Sequence, residues 1–156
     1  MNTTLLISRD EFLAHWQGHR TLTRHTLERF PEQDLFTYSI GGMRPFADLI
    51  KEILSIAVPG LEGIVHHKTE GYSHDLNLNS KAELLAEWDK QTEQVNELFK
   101  QIPDERFHED FNLFGEYNFP IYQNLLYFVD NEIHHRAQGY VYLRSLGIEP
   151  PFFWDR

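Results

Sequence analysis

The chain has no cysteine, which removes disulfides and thiol chemistry of its own and makes a reducing, cytoplasmic setting the expectation. No apolar run approaches the roughly 20 residues needed to cross a bilayer, so no membrane partner is expected. The start, MNTTLLISRDEF, lacks the basic opening of a secretory leader. Basic residues are few: 14 Lys and Arg stand against 24 Asp and Glu, for a net charge of −10 and no basic stripe along any helix. Phosphate backbones need clustered cations, so nucleic acid is not an expected partner. Also missing are internal repeats, linkers rich in Gly or Ser, a Gly-rich phosphate loop and a serine nucleophile elbow. What remains is an ordinary apolar share, 41%, over 156 residues, enough for one core and a single domain spanning 1–156.

Helical spacing dominates. Ser8 with Glu11 forms a capping-box pattern that opens a first helix, carrying Phe12, Trp16, Thr23, Leu27 and Phe30 and stopping before Pro31. A polar connection with the Gly41-Gly42 pair leads to Pro45, which suits the first turn of a second helix with Leu49, Ile53 and Ile56 inward. Pro59-Gly60 is expected to kink or break it, with helix resuming through Val65. Ser80 with Glu83 opens a third helix ending near Pro103. The aromatic stretch RFHEDFNLFGEYNF (106–119) reads as a long loop with a short extended piece at 111–113. Pro120 opens the last helix, which runs to about Ser145. The expected fold is all-α, an up-and-down four-helix bundle with a long aromatic-rich loop before the last helix.

The last helix carries the chemistry. Asn124, Phe128, Asn131, His135, Gln138 and Tyr142 recur at steps of three or four and so share one face, beside an apolar stripe of Ile121, Leu125, Val129 and Ile133. If that polar face does not look to solvent, it needs partners or a ligand. On the second helix, Glu52 falls three residues after Leu49 and four before Ile56, which places it on the inward stripe or at its rim.

The run NEIHHRAQGYVYLRSLGIEPP (131–151), together with the Pro/Phe-led second helix RPFADLI (44–50), resembles the DinB/YfiT-like family of four-helix metalloenzymes. The resemblance implies a divalent ion, zinc or nickel in various members, held by one second-helix histidine and two last-helix histidines four residues apart. Here His135 takes one last-helix position, Asn131 replaces the other histidine, and Glu52 replaces the second-helix histidine. The implied metal ligands are therefore Glu52, Asn131 and His135, with Phe128, Gln138 and Tyr142 lining the pocket. Two oxygens and one nitrogen suit Mn, Fe or Ni better than Zn. Ala137, in the family's Gly position, is expected to permit close helix approach. The resemblance further implies a metal-dependent thiol-transferase or hydrolase-like enzyme with an unidentified small-molecule substrate, and a homodimer. The competing expectation is a metal-free bundle that binds a small molecule or a partner, with Glu52 hydrogen-bonded directly to His135.

Other histidines carry weaker expectations. His134 points about 100° away from His135, toward the surface or an interface. Glu132 and His135 share the Glu-x-x-His spacing of dimetal bundles, but the only other such pair, Glu105 and His108, falls in a loop. His15 and His19 are a possible metal pair without a third ligand; His66, His67 and His74 surround a helix end. The closing GIEPPFFWDR carries two Phe and a Trp that need a surface to cover.

Overall fold

The computed structural model describes every residue except 1–4, 72 and 74, so the expectation for His74 lies outside the described residues. Among the described residues five α-helices form: α1 (Arg9–Arg29), α2 (Glu32–Thr37), α3 (Phe46–His66), α4 (Lys81–Lys100) and α5 (Ile121–Ser145). Both capping boxes are in place: Ser8 and Glu11 at α1, and Ser80 and Glu83 at α4, exchange hydrogen bonds with each other's backbone N–H. Pro45 and Pro120 sit at the N-caps of α3 and α5.

Three local expectations change. The polar connection holds the short helix α2, which buries Leu35. Pro59 does not break α3, because Leu61 and Ile64 beyond it are fully buried and their packing outweighs one lost backbone hydrogen bond. The aromatic stretch is not a loop with one extended piece but an antiparallel hairpin of β1 (Asp110–Leu113) and β2 (Tyr117–Pro120), pairing Phe111 with Phe119. Its turn uses left-handed Phe114 and Gly115, at φ 56° and 76°.

Helix α1 packs on α4 and α5, and α3 packs on the same two. The apolar interior has two ends. One gathers Leu27 and Phe30 of α1, Phe46 to Leu54 of α3, Leu84 and Trp88 of α4, and Tyr142 and Leu143 of α5. The other gathers Leu13 and Trp16, Ile56 to Ile64, Val95 to Phe99, and Ile121 to Val129. Helices α1 and α5 therefore run one way and α3 and α4 the other. Strict up-and-down alternation does not hold: α3 and α4 are parallel, joined by a crossover through residues 67–80. Extended at about 3.4 Å per residue, that segment can return along the length of a helix, roughly 30 Å.

Close approach of α3 and α5 depends on glycine, but not at the expected position. Ala137 is exposed. Gly139 instead lies under the Phe46 ring, where a Cβ would fall 2.4 Å from a ring carbon, and Gly60 admits the Phe128 ring in the same way.

Candidate functional site

The polar face of α5 turns inward. Asn124, Asn131, His135 and Tyr142 are all buried, and Gln138 is half-buried. Asn124 finds its partners in the hairpin, donating to the carbonyls of Phe111 and Phe119, and so fastens β1 and β2 to the start of α5. Phe128 lies in the core against Trp16, with ring centroids 6.0 Å apart, and faces Gly60 rather than a polar pocket. Tyr142 donates its hydroxyl to the Arg44 carbonyl, which anchors the segment leading into α3.

Glu52 and His135 meet across the α3–α5 interface. Glu52 Oε1 is 2.9 Å from His135 Nε2, and Glu52 Oε2 accepts from Arg44 Nη2 at 2.5 Å. The His135 side chain is 7% exposed, Glu52 17% and Arg44 50%, so the pair opens to solvent past the arginine. Partial burial pushes the Glu52 carboxyl up. Hydrogen bonds from Arg44 and His135, with their charges, outweigh this and hold it below its ordinary value. Glu52 is thus a carboxylate at neutral pH. On the other side of the imidazole, Nδ1 lies 3.4 Å from Gln138 Oε1. With its proton on Nε2, His135 donates to Glu52 Oε1; with the proton on Nδ1, toward Gln138, the Nε2 lone pair faces Glu52 Oε1 instead. Two lone pairs 2.9 Å apart require a proton or a cation between them.

Asn131 sits one turn before His135 on the same face, and its Nδ2 has no hydrogen-bond partner among the described residues. Among those residues no three His, Cys, Asp or Glu side chains gather as a ligand set. A cavity of about 560 Å³ lies elsewhere. It is lined by Leu5, Phe12, Phe99, Phe107, Tyr122 and Leu126 among others, and by neither Glu52 nor His135.

Four other histidines have local partners. His134 is exposed, with its ring against His135. His67 ends α3 in the left-handed conformation, and Arg106 approaches its Nδ1. The Nε2 atoms of His15 and His19 are 3.1 Å apart, but Arg136 donates to His19 Nδ1 at 2.9 Å. Arg156 Nη1 stands 2.9 Å from His19 Nε2, so both ring nitrogens face guanidinium donors and neither lone pair is open to a metal. Burial, then the charges of Arg136, Arg156 and His15, push His19 down to about 3. An unfolded chain protonates this residue below about 6.5 whereas the folded one resists, so stability falls as pH drops from about 6.5 toward 3. Between about pH 7 and about pH 5, denaturant unfolding is expected to show a more unfavourable change in the wild type than in His19→Gln, since the Glu132 carboxyl, raised by burial, acts in the opposite sense in both proteins. The Glu52 contribution, lost only below its ordinary value of 4.5, lies outside that interval.

Sequence reasoning missed Arg44, which spacing could not link to Glu52, and a buried group around Glu132, Arg20 and Arg136. The only signal for the latter was Arg20 and Thr23 interrupting the inward face of α1 between Trp16 and Leu27.

Comparison with known proteins bears on the same elements. The DinB family model matches residues 110–154, the hairpin and α5. The uncharacterised protein YjoA of Bacillus subtilis (strain 168) is 23% identical over 158 residues, covering 94% of this chain and 97% of that protein. The crystal structure of a DinB-like protein from Bacillus cereus ATCC 10987 superposes with a TM-score of 0.75 at 19% identity, over 92% of this chain and 95% of that one. The crystal structure of YjoA, a DinB-like protein, superposes with a TM-score of 0.73, over 93% and 99%. Among the described residues no helix is long and apolar enough to cross a membrane. In its hairpin and closing helix the chain matches the DinB family model, and in its fold it is similar to DinB-like proteins.

Proposed function

We propose that the chain is a divalent-metal-dependent enzyme of the thiol-transferase or hydrolase-like kind, working in the cytoplasm on the DinB/YfiT-like four-helix scaffold. Glu52, His135 and the amide oxygen of Asn131 are its metal ligands. The observation that carries this reading is the 2.9 Å separation of Glu52 Oε1 and His135 Nε2, with Gln138 beside the opposite ring nitrogen. Two donors each about 2.1 Å from one ion and at a right angle lie about 3 Å apart. Gln138 stands where the partner of a metal-bound histidine usually stands, on the far N–H. The orphaned amide of Asn131 supports the third position, since turning it over offers Oδ1 instead of Nδ2.

The donor set is two oxygens and one nitrogen, which suits Mn²⁺, Fe²⁺ or Ni²⁺ over Zn²⁺. An ion bound there lowers the pKa of a thiol or water and so supplies a nucleophile near neutral pH. Glu52 is ready to bind, being ionised. Arg44 holds its second oxygen and presents a half-exposed cation at the mouth, suited to an anionic group on the substrate.

Arg44 also favours a second reading. With a proton instead of a metal between Glu52 and His135, the three side chains form a closed ion-pair network in a non-catalytic binding protein. The test is turnover of a small thiol with an electrophile, and of a simple ester, by metal-loaded and chelated protein. Metal-dependent turnover that falls at least about 100-fold in His135→Ala supports the enzyme. Equal rates in loaded, chelated and variant protein favour the network.

We further propose that the chain pairs with a second copy. Phe152, Phe153 and Trp154 are each more than half exposed and stack on one another, and Tyr122, Leu126 and Val141 are exposed on α5. Sedimentation at micromolar concentration is expected to give a dimer, and Trp154→Ser to weaken it. A wild-type monomer would contradict the pairing.

A further inference from the structure

The cavity of about 560 Å³ opens where the start of α1, the end of α4 and the start of α5 come together. Its floor is apolar, with Phe99 and Leu125 both buried. Phe12 and Phe107 are half-buried and flank Phe99, their ring centroids 5.8 and 6.0 Å from its own. Around the opening, Leu5 is 70% exposed and Leu126 44%. Ile7 precedes the Ser8 cap and Phe12 is the fourth residue of α1, two positions whose side chains commonly close on each other at a helix start. Here both line the hollow, and Ile7 stays exposed. Apolar side chains gathered around one concavity mark a contact, and a volume between about 300 and 1,000 Å³ is that of a small-molecule site.

One arginine and one carboxylate line the same space, and they are unequal. The Arg9 side chain is 28% exposed, that of Asp104 74%. The Arg9 guanidinium lies 5.4 Å from the Phe99 ring centroid and 5.3 Å from that of Phe107, so its charge rests against the aromatic wall. Nη2 donates to the Phe99 carbonyl at 3.1 Å and Nη1 to Asp104, which takes up two of the five N–H groups. An ion pair with so exposed a carboxylate contributes little, so a second carboxylate can share the guanidinium or replace Asp104 on it.

The chemistry narrows the occupant. A cation would meet the guanidinium at the wall, while the only carboxylate lining the cavity is turned largely to solvent. A neutral chain would gain the apolar contacts and leave the arginine unused. An amphipathic anion uses both.

We propose that this cavity binds a medium-chain carboxylate, its hydrocarbon tail against Phe12, Phe99, Phe107 and Leu125 and its carboxylate on Arg9. Neither Glu52 nor His135 lines the cavity, so the site stands or falls apart from the metal centre.

The test is calorimetric titration of the whole, chelator-treated chain at about pH 7 with decanoate, decanol and decylamine, each below its micelle concentration. Decanoate is expected to saturate a single site with a micromolar Kd, at least about tenfold tighter than decylamine. Arg9→Met keeps an apolar side chain on the aromatic wall and removes the charge. It is expected to weaken decanoate at least about tenfold and to change decanol less than about twofold. Leu126→Asp, at the exposed opening, is expected to weaken decanoate as well, and it reads the site if Arg9→Met does not fold. Tyr122 and Leu126 also stand on the face proposed for pairing, so the titration is repeated on Trp154→Ser, where the decanoate affinity is expected to be unchanged. The site is overturned if decanoate does not saturate, if decylamine binds as tightly, if folded Arg9→Met or Leu126→Asp keeps the wild-type affinity, or if Trp154→Ser loses binding.

Discussion

Replacing Glu132 by alanine is expected to destabilise the protein by about 3–5 kcal/mol, the usual cost of removing one member of a buried charge group. The reason is what the change leaves behind. Arg20 and Arg136 are both buried, and Glu132, whose carboxyl burial pushes up against the pull of both guanidiniums, is the acid whose charge offsets theirs in the interior. Their alternative partners are neutral carbonyls, hydroxyls and an imidazole, which satisfy hydrogen bonds but not charge. In a domain of this size each kcal/mol moves Tm by about 2–4 °C, so the expected fall is about 6–20 °C. Removing Glu116, on the exposed hairpin turn, provides the comparison and should stay within about 0.5 kcal/mol of wild type. The two can be read side by side by thermal unfolding at one pH.

Gly139→Ala is expected to lower stability although alanine is the better helix former. Its methyl group would fall 2.4, 2.7 and 2.9 Å from three carbons of the Phe46 ring. That ring cannot move aside easily, since it is fully buried and stacked on Phe30 with centroids 4.5 Å apart. Overpacking a filled core costs about 1–3 kcal/mol. The gain in helix propensity returns about 1 kcal/mol, which leaves a net loss of up to about 2 kcal/mol. Phe46→Leu in the Gly139→Ala background should recover part of it, because the shorter side chain gives way where the ring cannot. The opposite change, Ala137→Gly, touches an exposed position and should cost only the propensity difference. Denaturant midpoints for the three variants decide between Gly139 and Ala137 as the point of close approach.

Local signals were legible wherever one helix could supply both halves of an interaction. The two capping boxes are three-residue patterns, and both formed as read. The α5 stripe is a spacing on a single helix, and it turned inward with Asn131 and His135 on one face. Illegible features needed two distant segments. The direction of α4 relative to α3 depends on whether residues 67–80 turn back or cross over, and a segment of that length permits either. The hairpin hid in a stretch where aromatic residues fall on both faces, so no alternation stood out, and its anchor, Asn124, is on another element. Arg44 pairs with Glu52 from a non-helical segment with no fixed spacing. The Glu132 group draws on α1, α4 and α5, so no single helix displays it. Glu52 and His135 are 83 residues apart, and the resemblance of the closing helix to a known family suggested that they face each other.

Elemental analysis of untagged protein, purified without a metal column and dialysed against metal-free buffer, tests the proposed centre most directly. About one equivalent of Mn, Fe or Ni per chain is predicted for the wild type, falling to background in both Glu52→Gln and His135→Ala. Absence of any transition metal from the wild type after reloading with each ion, or an equal content in the two variants, would contradict it.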